Sequence, residues 1–355
     1  MVFYRKYRPQ KIEELDSSSV RETLTAVLGQ ESAHAFLFTG PKGLGKTSAA
    51  RIVSKILNCE RNKTKNGKLK EIEPCNKCYQ CTSITNGTNL DVLEIDGASN
   101  RGIDEIRDLR EKIRLSTAGA LKKIYIIDEV HMLTQEAFSA LLKTLEEPPS
   151  HAVFVLCTTE PQKVPATIAS RCFHIAFRIA SKEELIRSFK RIVKGEKLSI
   201  ASDALLSIAQ LSDGSFRDGA KILEELKARS GSKKITKDFV EKQYQMSNIN
   251  QRVLKLLDGL AQKDTKKTLD LVQNLAEDGV EMGYFIEQLT TELHSKLLLK
   301  VNSERPEIGF SLFEIKKLLK LLMKANLQLK YAVLPQLPLE LAIIEFTQEQ
   351  GGGEK

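Results

Sequence analysis

The chain has 355 residues, more than one hydrophobic core normally serves, so its length excludes a single small domain and suggests two or three. With 41% hydrophobic residues, 28% charged residues and no Trp, the composition excludes a wholly disordered chain and indicates an aliphatic interior. The net charge of +8 favours polyanionic partners without requiring nucleic acid. No apolar run approaches the ~18 residues of a membrane span, and residues 1–15 lack the apolar stretch of a signal peptide. We therefore expect a cytoplasmic protein that does not enter a membrane.

Short apolar runs alternate with helical patterns in the first half of the chain. Strands are predicted over 34–40, 90–96, 123–128 and 152–159, with a weaker fifth over 174–177. Their near-continuous hydrophobicity is typical of strands covered on both faces. Helical patterns between them, such as SAARIVSKILN and FSALLKTLEE, predict a doubly wound α/β fold with a parallel sheet.

Strand patterns stop at about residue 177, and helical patterns follow. Three of them, over 181–196, 203–215 and 217–231, predict a small helical domain. A second helical block runs from about 239 to 349, with apolar residues at helical spacing. The sequence therefore predicts an α/β domain over 1–178, helical domains over 179–243 and 244–348, and a flexible tail over 349–355.

A segment directly after the first predicted strand matches the phosphate-loop pattern G-x-x-x-x-G-K-[ST] and precedes a helical pattern, as this motif requires. Its residues are Gly40, Pro41, Lys42, Gly43, Leu44, Gly45, Lys46 and Thr47. Glycines let backbone N–H groups approach phosphate oxygens, and the helix presents its positive end to them. We predict that Lys46 reaches the terminal phosphates of a nucleotide and that Thr47 ligates Mg²⁺.

The third predicted strand ends in two carboxylates, Asp128 and Glu129. This pair fits the acidic element of phosphate-loop nucleotidases, in which Asp128 would hold Mg²⁺ and Glu129 would polarise the attacking water. The simpler alternative is an acidic helix cap. His131 completes a D-E-x-H pattern and raises the possibility of a helicase, but no later segment resembles the Arg-rich motif of a second helicase domain.

The six cysteines form two sets. The clustered set is Cys59, Cys75, Cys78 and Cys81. Their spacing favours a metal, and four thiolates suffice for a closed tetrahedral Zn²⁺ site, with the first ligand at a helix end and the others on a tight turn. The alternatives are an iron–sulfur cluster, for which the ferredoxin spacing is missing, and no metal. Cys157 and Cys172 lie in apolar surroundings and are interpreted as structural residues.

Two basic segments leave alternatives open. The loop after the first clustered cysteine contains Arg61, Lys63, Lys65, Lys68 and Lys70. We interpret this loop as solvated, with a DNA contact as the alternative. Arg101 precedes a helical pattern over 103–113, where it either contacts a DNA phosphate at the helix start or belongs to a plain helix cap.

Taken in order, these motifs resemble the gamma/tau subunit family of bacterial DNA polymerase III, AAA+ clamp-loader ATPases, over nearly the whole chain. The shared segments are Y-R-K-Y-R-P at 4–9, the phosphate loop followed by Ser48, the cysteine insertion, E-I-D at 94–96, D-E-V-H-M-L at 128–133, A-L-L-K-T-L-E-E-P-P at 140–149, T-T-E-P-Q-K at 158–163, S-R-C at 170–172 and G-S-F-R-D at 214–218. The resemblance implies an AAA+ domain over 1–178 with a zinc-binding insertion at about 59–85. It further implies a helical lid over 179–243 and an all-α oligomerisation collar over 244–348.

The resemblance also implies roles for individual residues. Thr159 is the expected sensor of the γ-phosphate, with Thr158 as the alternate, and Arg217 is expected to contact nucleotide from the lid. Arg171 resembles the arginine finger that reaches the nucleotide of a neighbouring subunit. The residues expected around the base are Tyr7, Arg8 and Pro9, and Ser48 extends the nucleotide-binding segment. A simple cap or a solvated charge is the alternative for the isolated Thr and Arg residues.

The chain departs from the family pattern at two places. Residues 15–20 read L-D-S-S-S-V where the family commonly has a V-G-Q step. Gly219 stands where Ala is usual, and this lowers the helix propensity at the start of a lid helix. Base recognition and lid structure are therefore the two features that the resemblance predicts least directly.

The function implied by the resemblance is that of a motor subunit of the DNA polymerase III holoenzyme. It would use ATP, Mg²⁺ and Zn²⁺ to open the beta sliding clamp and load it onto primed template DNA during replication. Its partners would be the delta and delta-prime subunits and further gamma/tau copies. The family carries the label DNA-directed DNA polymerase, a transferase, from the holoenzyme, but we expect no polymerase active site here. The alternatives are a scaffold clamp-loader subunit and an AAA+ ATPase that remodels another protein.

Overall fold

A computed structural model describes residues 2–29, 34–62, 71–99, 113, 115–231, 233–244, 249–302 and 309–348. Most of the basic loop (63–70), Arg101 and the tail (349–355) lie outside these residues, so the expectations for them stay predictions. The chain divides into two compact units, Met1–Ile235 and Thr236–Lys355. Within the described ranges, no helix has both the length and the apolar character needed to cross a membrane.

The first unit is built on a parallel five-stranded sheet. Its strands are β1 (Ala35–Thr39), β2 (Val92–Asp96), β3 (Lys123–Asp128), β4 (Ala152–Thr158) and β5 (Phe173–Ala176). Their spatial order is β2-β3-β4-β1-β5, and all four neighbouring pairs are parallel. Every side chain of β1 and β4 is buried, because helices cover both faces of these central strands. The predicted α/β fold, including its weaker fifth strand, is confirmed.

Six helices precede or alternate with these strands among the described residues. They are α1 (Phe3–Lys6), α2 (Ser18–Leu28), α3 (Lys46–Asn58), α4 (Tyr79–Asn86), α5 (Gln135–Glu146) and α6 (Ala166–Ala169). Helix α3 begins at the phosphate-loop lysine, and α5 ends just before two prolines that cannot continue it. Apolar side chains of α5 pack on the sheet.

Three helices after the sheet belong to the first unit: α7 (Lys182–Glu196), α8 (Ser202–Leu211) and α9 (Phe216–Ser230). Helix α7 starts with a capping box formed by Ser181 and Glu184, and the Ser215 hydroxyl caps α9. These helices match the three helical patterns predicted after the sheet. A single parallel bridge between Ile200 and Ile235 also occurs here and was not predicted from the sequence.

The described part of the second unit is helical. Its helices are α10 (Lys237–Gln243), α11 (Ile249–Ala261), α12 (Thr265–Glu277), α13 (Met282–Asn302), α14 (Leu312–Gln328) and α15 (Leu337–Gln348). One aliphatic core, centred on fully buried residues such as Leu256, Phe285 and Leu339, holds α11 to α15 together. The unit boundary lies before α10, which the sequence assigned to the lid, and the division into three domains stays a prediction.

Candidate functional site

Three strands that carry predicted site residues end side by side. Strand β4 lies between β1 and β3, and its last residue, Thr158, pairs with Thr39 at the end of β1. Asp128 ends β3, and Gly40 follows β1 directly. Because parallel strands present their carboxyl ends at one edge of a sheet, the phosphate loop, the acidic pair and the threonines meet there.

The phosphate loop needs its glycines for both conformation and space. Gly43 has φ of +84°, and a Cβ there would lie 2.2 Å from the Ser215 hydroxyl oxygen. Gly40 has φ of +137°, and its Cβ would lie 2.0 Å from the Phe177 carbonyl oxygen. Only glycine has both the conformational freedom and the small size that these positions require, so the loop lies close to the start of α9 and to the backbone that follows β5.

Lys46 and Thr47 occupy the first turn of α3 and point toward the acidic strand end. The Lys46 ammonium is buried and donates hydrogen bonds to the carbonyl oxygens of Gly40 at 2.6 Å and Pro41 at 2.8 Å. Burial lowers the Lys46 pKa, and the nearby carboxylates of Glu129 and Asp128 oppose this shift. The Thr47 hydroxyl donates to Asp128 Oδ2 at 2.8 Å, which joins the two predicted Mg²⁺ ligands.

Glu129 is paired with the predicted sensor rather than with the phosphate loop. The Thr159 hydroxyl donates to Glu129 Oε2 at 2.9 Å, and the Thr159 backbone N–H contacts the same oxygen at 3.3 Å. Glu129 itself has φ of +47°, an uncommon conformation outside glycine. Thr158, the alternate sensor, is buried, and its hydroxyl lies 3.0 Å from His131 Nδ1. The geometry therefore brings Thr159 to the catalytic candidate Glu129 and turns Thr158 toward His131.

A cavity of about 300 Å³ opens beside these groups. The predicted residues that line it are Tyr7, Arg8, Pro9, Lys42, Gly43, Leu44, Gly45, Lys46, Thr47, Ser48, Asp128, Glu129 and Arg217. Gly40, Pro41 and Thr159 lie behind this lining, where they contact Lys46 and Glu129. The structure thus gathers the predicted phosphate, base and lid residues around one space.

Arg217, in the first turn of α9, reaches the cavity from the helical part of the first unit. Its backbone N–H donates to the Gly43 carbonyl at 3.4 Å, so α9 touches the phosphate loop. Its Nε is buried and has no hydrogen-bond partner among the described residues. Its guanidinium stacks on the Tyr4 ring, 4.8 Å from the ring centre. No role was predicted for Tyr4 from the sequence, although this residue opens the Y-R-K-Y-R-P segment.

The departure from the family pattern at residues 15–20 also lies at the cavity. Asp16 lines the cavity and is almost fully buried, and its carboxylate accepts hydrogen bonds from the Arg191 guanidinium of α7 at 2.7 and 2.6 Å. This bidentate pair ties the cavity wall to helix α7. The two residues are 175 positions apart, so nothing in the local sequence pattern could have paired them.

A second carboxylate holds Tyr7, one of the three residues predicted to surround the base. Glu196, at the end of α7, accepts hydrogen bonds from Tyr7 at 2.8 Å, from Lys6 at 2.6 Å and from Lys227 at 2.6 Å. Hydrogen bonds from Lys227, Lys6 and Tyr7 lower the Glu196 pKa to about 2. Tyr7 is therefore held against the end of α7 by an ionised carboxylate, a contact that sequence patterns do not encode.

Arg171 lies apart from this cavity. Its guanidinium donates to Glu146 Oε1 at 2.7 Å and to the Thr167 carbonyl at 2.7 Å, and its side chain is 35% exposed. It is absent from the cavity lining that contains its own phosphate loop. An accessible position away from the cavity is what a residue acting on a neighbouring subunit requires, but its role stays a prediction.

The four clustered cysteines converge as predicted. Their Sγ atoms all lie within 4.8 Å of one another, with Cys59 at the end of α3 and Cys78 capping α4. Burial raises the pKa of the Cys59 and Cys81 thiols. Burial opposes ionisation of Cys75 as well, but backbone N–H groups of residues 77 and 78 donate to its sulfur and lower its pKa to about 6. Four soft donors in this arrangement fit a tetrahedral zinc ion, which would stabilise all four thiolates.

The remaining cysteines are separate from this cluster. Cys157 is fully buried in β4, and burial raises its pKa well above the usual value. Burial also raises the pKa of Cys172 to about 12. Neither thiol forms a reactive thiolate at neutral pH, which supports the interpretation of both as structural residues.

The sheet order, the phosphate loop and the acidic end of the adjoining strand define a P-loop protein of the AAA+ fold. A mutant of Thermotoga maritima RuvB has a similar fold, with a TM-score of 0.50 and 19% identity over 72% of this chain and 79% of that one. The model of a family described as "DNA polymerase III, delta subunit" matches residues 17–181.

Sequence relatives identify the family more narrowly. The chain is 34% identical to the DNA polymerase III subunit gamma of Buchnera aphidicola subsp. Schizaphis graminum, over 94% of this chain and 91% of the relative. It is 35% identical to the subunit tau of Bacillus subtilis over 97% of this chain, and it spans 63% of that relative's length. The gamma/tau subunit of Mycoplasma genitalium is 36% identical over 84% of this chain and 50% of the relative. The chain belongs to the DNA polymerase III gamma/tau subunit family.

Proposed function

We propose that this chain is an ATP-driven motor subunit of a bacterial clamp loader, which opens the beta sliding clamp and places it on primed template DNA. One observation carries this proposal: in a member of the gamma/tau family, a single cavity contains the phosphate loop, the Asp128–Glu129 pair and Arg217 of the lid. A scaffold subunit without turnover would not need this complete set of groups. The proposed location is the cytoplasm.

The chemistry follows from the groups at the strand ends. The Lys46 ammonium exchanges its two carbonyl partners for phosphate oxygens when ATP enters. Thr47 and Asp128, already paired, would hold Mg²⁺, which neutralises charge on the phosphates as they separate. The Glu129 carboxylate orients water for attack on the γ-phosphate. These groups supply the positioning and the charge on which phosphoryl transfer mainly depends.

Thr159 and Arg217 connect the phosphates to the rest of the chain. In the structure Thr159 donates its hydroxyl hydrogen to Glu129, so a γ-phosphate that took this hydrogen bond would free the carboxylate for water. Arg217, with its buried and unpaired Nε, offers a donor from the lid side. ATP would therefore pull the lid and the sheet edge toward the same ligand, and hydrolysis would release them.

Assembly with other subunits completes the proposed cycle. Arg171 would project into the nucleotide site of an adjoining subunit, and the helical block 244–348 would form the collar that joins delta, delta-prime and further gamma/tau copies. Binding of ATP would order these interfaces around the clamp and DNA. The cysteine cluster would hold one structural Zn²⁺ and take no part in hydrolysis.

The proposal is tested by the ATPase rate of the reconstituted loader. We expect the sliding clamp together with primed DNA to raise the rate several-fold, and unprimed duplex of the same length to leave it near the basal value. Glu129→Gln in the same assembly is the matched control and should abolish the stimulated rate. A rate that does not respond to clamp and primed DNA would contradict the clamp-loader function and favour an ATPase that acts on another protein.

The role of Arg171 is tested by mixing two inactive variants. An assembly made only of Arg171→Ala subunits should lose most stimulated hydrolysis, because a finger supplied in trans is worth roughly 10³ to 10⁵ in turnover in well-studied systems. Mixing these subunits with Lys46→Ala subunits should restore part of the activity, since some interfaces then combine an intact phosphate loop with an intact finger. Unchanged turnover in the pure Arg171→Ala assembly would eliminate the finger role.

A further inference from the structure

The segment 10–14 lies between the nucleotide cavity and the cysteine cluster. Residues 7–9 and 15–17 on either side of it line the cavity. The segment itself contacts what we call the cysteine turn, residues 73–81, which contains three of the four clustered cysteines. Segment 10–14 therefore connects two stretches of the cavity wall and also contacts the turn that carries the candidate metal ligands.

Gln10 makes the closest connection between the two. Its backbone carbonyl accepts a hydrogen bond from Asn76 Nδ2 at 3.3 Å, and its side-chain oxygen accepts one from Lys55. In the opposite direction, Gln10 Nε2 donates to the carbonyl oxygen of the cavity residue Arg8 at 3.0 Å. Gln10 is thus hydrogen-bonded to both Asn76 and Arg8, so a displacement of Asn76 would also displace Arg8.

Lys55 stabilises the contact between Gln10 and Asn76. Its side chain is 1% exposed, and its ammonium also donates to Asn76 Oδ1 at 3.1 Å. A buried ammonium without hydrogen-bond acceptors is costly, so Gln10 and Asn76 are both required to accept from it. Lys55 belongs to α3, the helix that begins at the phosphate loop and ends at Cys59.

A second contact fixes the other half of the segment. The Glu73 carboxylate accepts hydrogen bonds from the backbone N–H groups of Ile12 at 2.9 Å and Glu13 at 2.8 Å. These two residues begin the short helix Ile12–Glu14, whose free N–H groups Glu73 caps. The segment is therefore attached to the cysteine turn at two points, one on each side of Lys11.

The conformation of Asn76 depends directly on the cysteine turn. It follows Cys75 and has φ of +55°, while the N–H groups of the next two residues donate to the Cys75 sulfur. A metal ion held by the four thiolates would lock this turn, and loss of the ion would free it.

We propose that metal binding at the cysteine cluster and nucleotide binding in the cavity are thermodynamically coupled, with Asn76, Lys55 and Glu73 acting through Gln10 to position the cavity wall. This inference rests on the proposed function only in taking ATP as the ligand of the cavity. Coupling between two sites is reciprocal: the factor by which the metal strengthens nucleotide binding is also the factor by which the nucleotide strengthens metal binding. These are positioning residues, since none of them needs to touch the nucleotide.

The test uses the full chain and a non-hydrolysable ATP analogue with Mg²⁺. Asn76→Gly removes the amide but tolerates the positive φ, so it should keep its zinc by elemental analysis while binding the analogue at least about fivefold more weakly, the lower end of usual coupling factors. Glu71→Ala, at an exposed position just before the cysteine turn, is the control and should change neither value. Wild-type affinity in zinc-loaded Asn76→Gly would overturn the proposal.

A measurement on the unaltered chain covers the case in which Asn76→Gly fails to fold. Zinc affinity is measured by competition with a chromogenic chelator. It should rise at least about fivefold when the analogue saturates the cavity. Equal zinc affinity with and without the analogue would overturn the coupling while leaving the proposed function intact. A wild-type chain that binds no analogue at all would instead contradict the proposed function and this inference with it.

Discussion

Gly219→Ala should destabilise the chain, although alanine is the better helix former. Gly219 lies in the first turns of α9, where the family commonly has alanine, and helix propensity alone predicts a gain of up to ~1 kcal/mol. In the structure a Cβ at this position would lie 2.3 Å from Phe189 Cζ, 2.4 Å from Phe189 Cε1 and 2.7 Å from Ser212 Oγ. Phe189 is fully buried and Ser212 is 1% exposed, so neither can move away freely.

The balance of these two effects sets the expected magnitude. Overpacking a core by one methyl group costs about 1 to 3 kcal/mol, which exceeds the propensity gain, so we expect a net loss on the order of 1 kcal/mol. The urea midpoint followed by circular dichroism measures it. Phe189→Leu removes the ring atoms that the new methyl group would meet, so adding Gly219→Ala to this variant should cost much less than adding it to the wild type. A rise in the midpoint for the single Gly219→Ala variant would refute the packing argument.

Three further predictions concern the other site residues. Lys46→Ala should abolish tight ATP binding, because the lysine binds the phosphate charge of the ground state. Glu129→Gln should retain ATP binding and lose turnover, because the glutamate acts only on the attacking water. Equal losses of ATP affinity in titration calorimetry would contradict these roles. Purified chain should contain one zinc ion, and Cys78→Ser should lose it and melt at a lower temperature; iron with a visible absorption band, or no metal under reducing conditions, would contradict the assignment. Arg171→Ala should lower the free energy of unfolding by only ~0.2 to 1 kcal/mol, because its ion pair with Glu146 is largely exposed, and a much larger loss in urea denaturation would indicate a structural role instead.

Features that depend on neighbouring residues in the chain could be predicted from the sequence. The buried strands follow from continuous apolar runs, and the phosphate loop follows from glycine and lysine spacing between a strand and a helix. The cysteine cluster was predicted because three of its members lie within one tight turn. Since parallel strands align their ends, the meeting of Thr47 with Asp128 also followed from the predicted order of elements.

Contacts between distant segments could not be predicted in this way. The pairing of Asp16 with Arg191 depends on how α7 lies against the cavity wall, and each residue alone looks like a solvated charge. The stacking of Tyr4 on Arg217 has the same origin. From the sequence, Gly219 was expected to weaken α9, because helix propensity is a property of the residue itself. The space that Phe189 occupies beside Gly219 depends instead on how two helices pack.

The strand order of the sheet has a consequence for the folding equilibrium of the chain. The residues proposed to hold ATP come from segments 81 and 30 positions apart, and they meet only when β4 has inserted between β1 and β3. An incompletely assembled sheet therefore offers ATP no site, and the nucleotide binds the native state selectively. At a free concentration of 100 times its Kd, such a ligand adds ~2.7 kcal/mol to the native state, a large share of the stability of an ordinary domain. A cell whose ATP pool collapses would thus hold a population of this protein that unfolds more often and is more exposed to proteolysis.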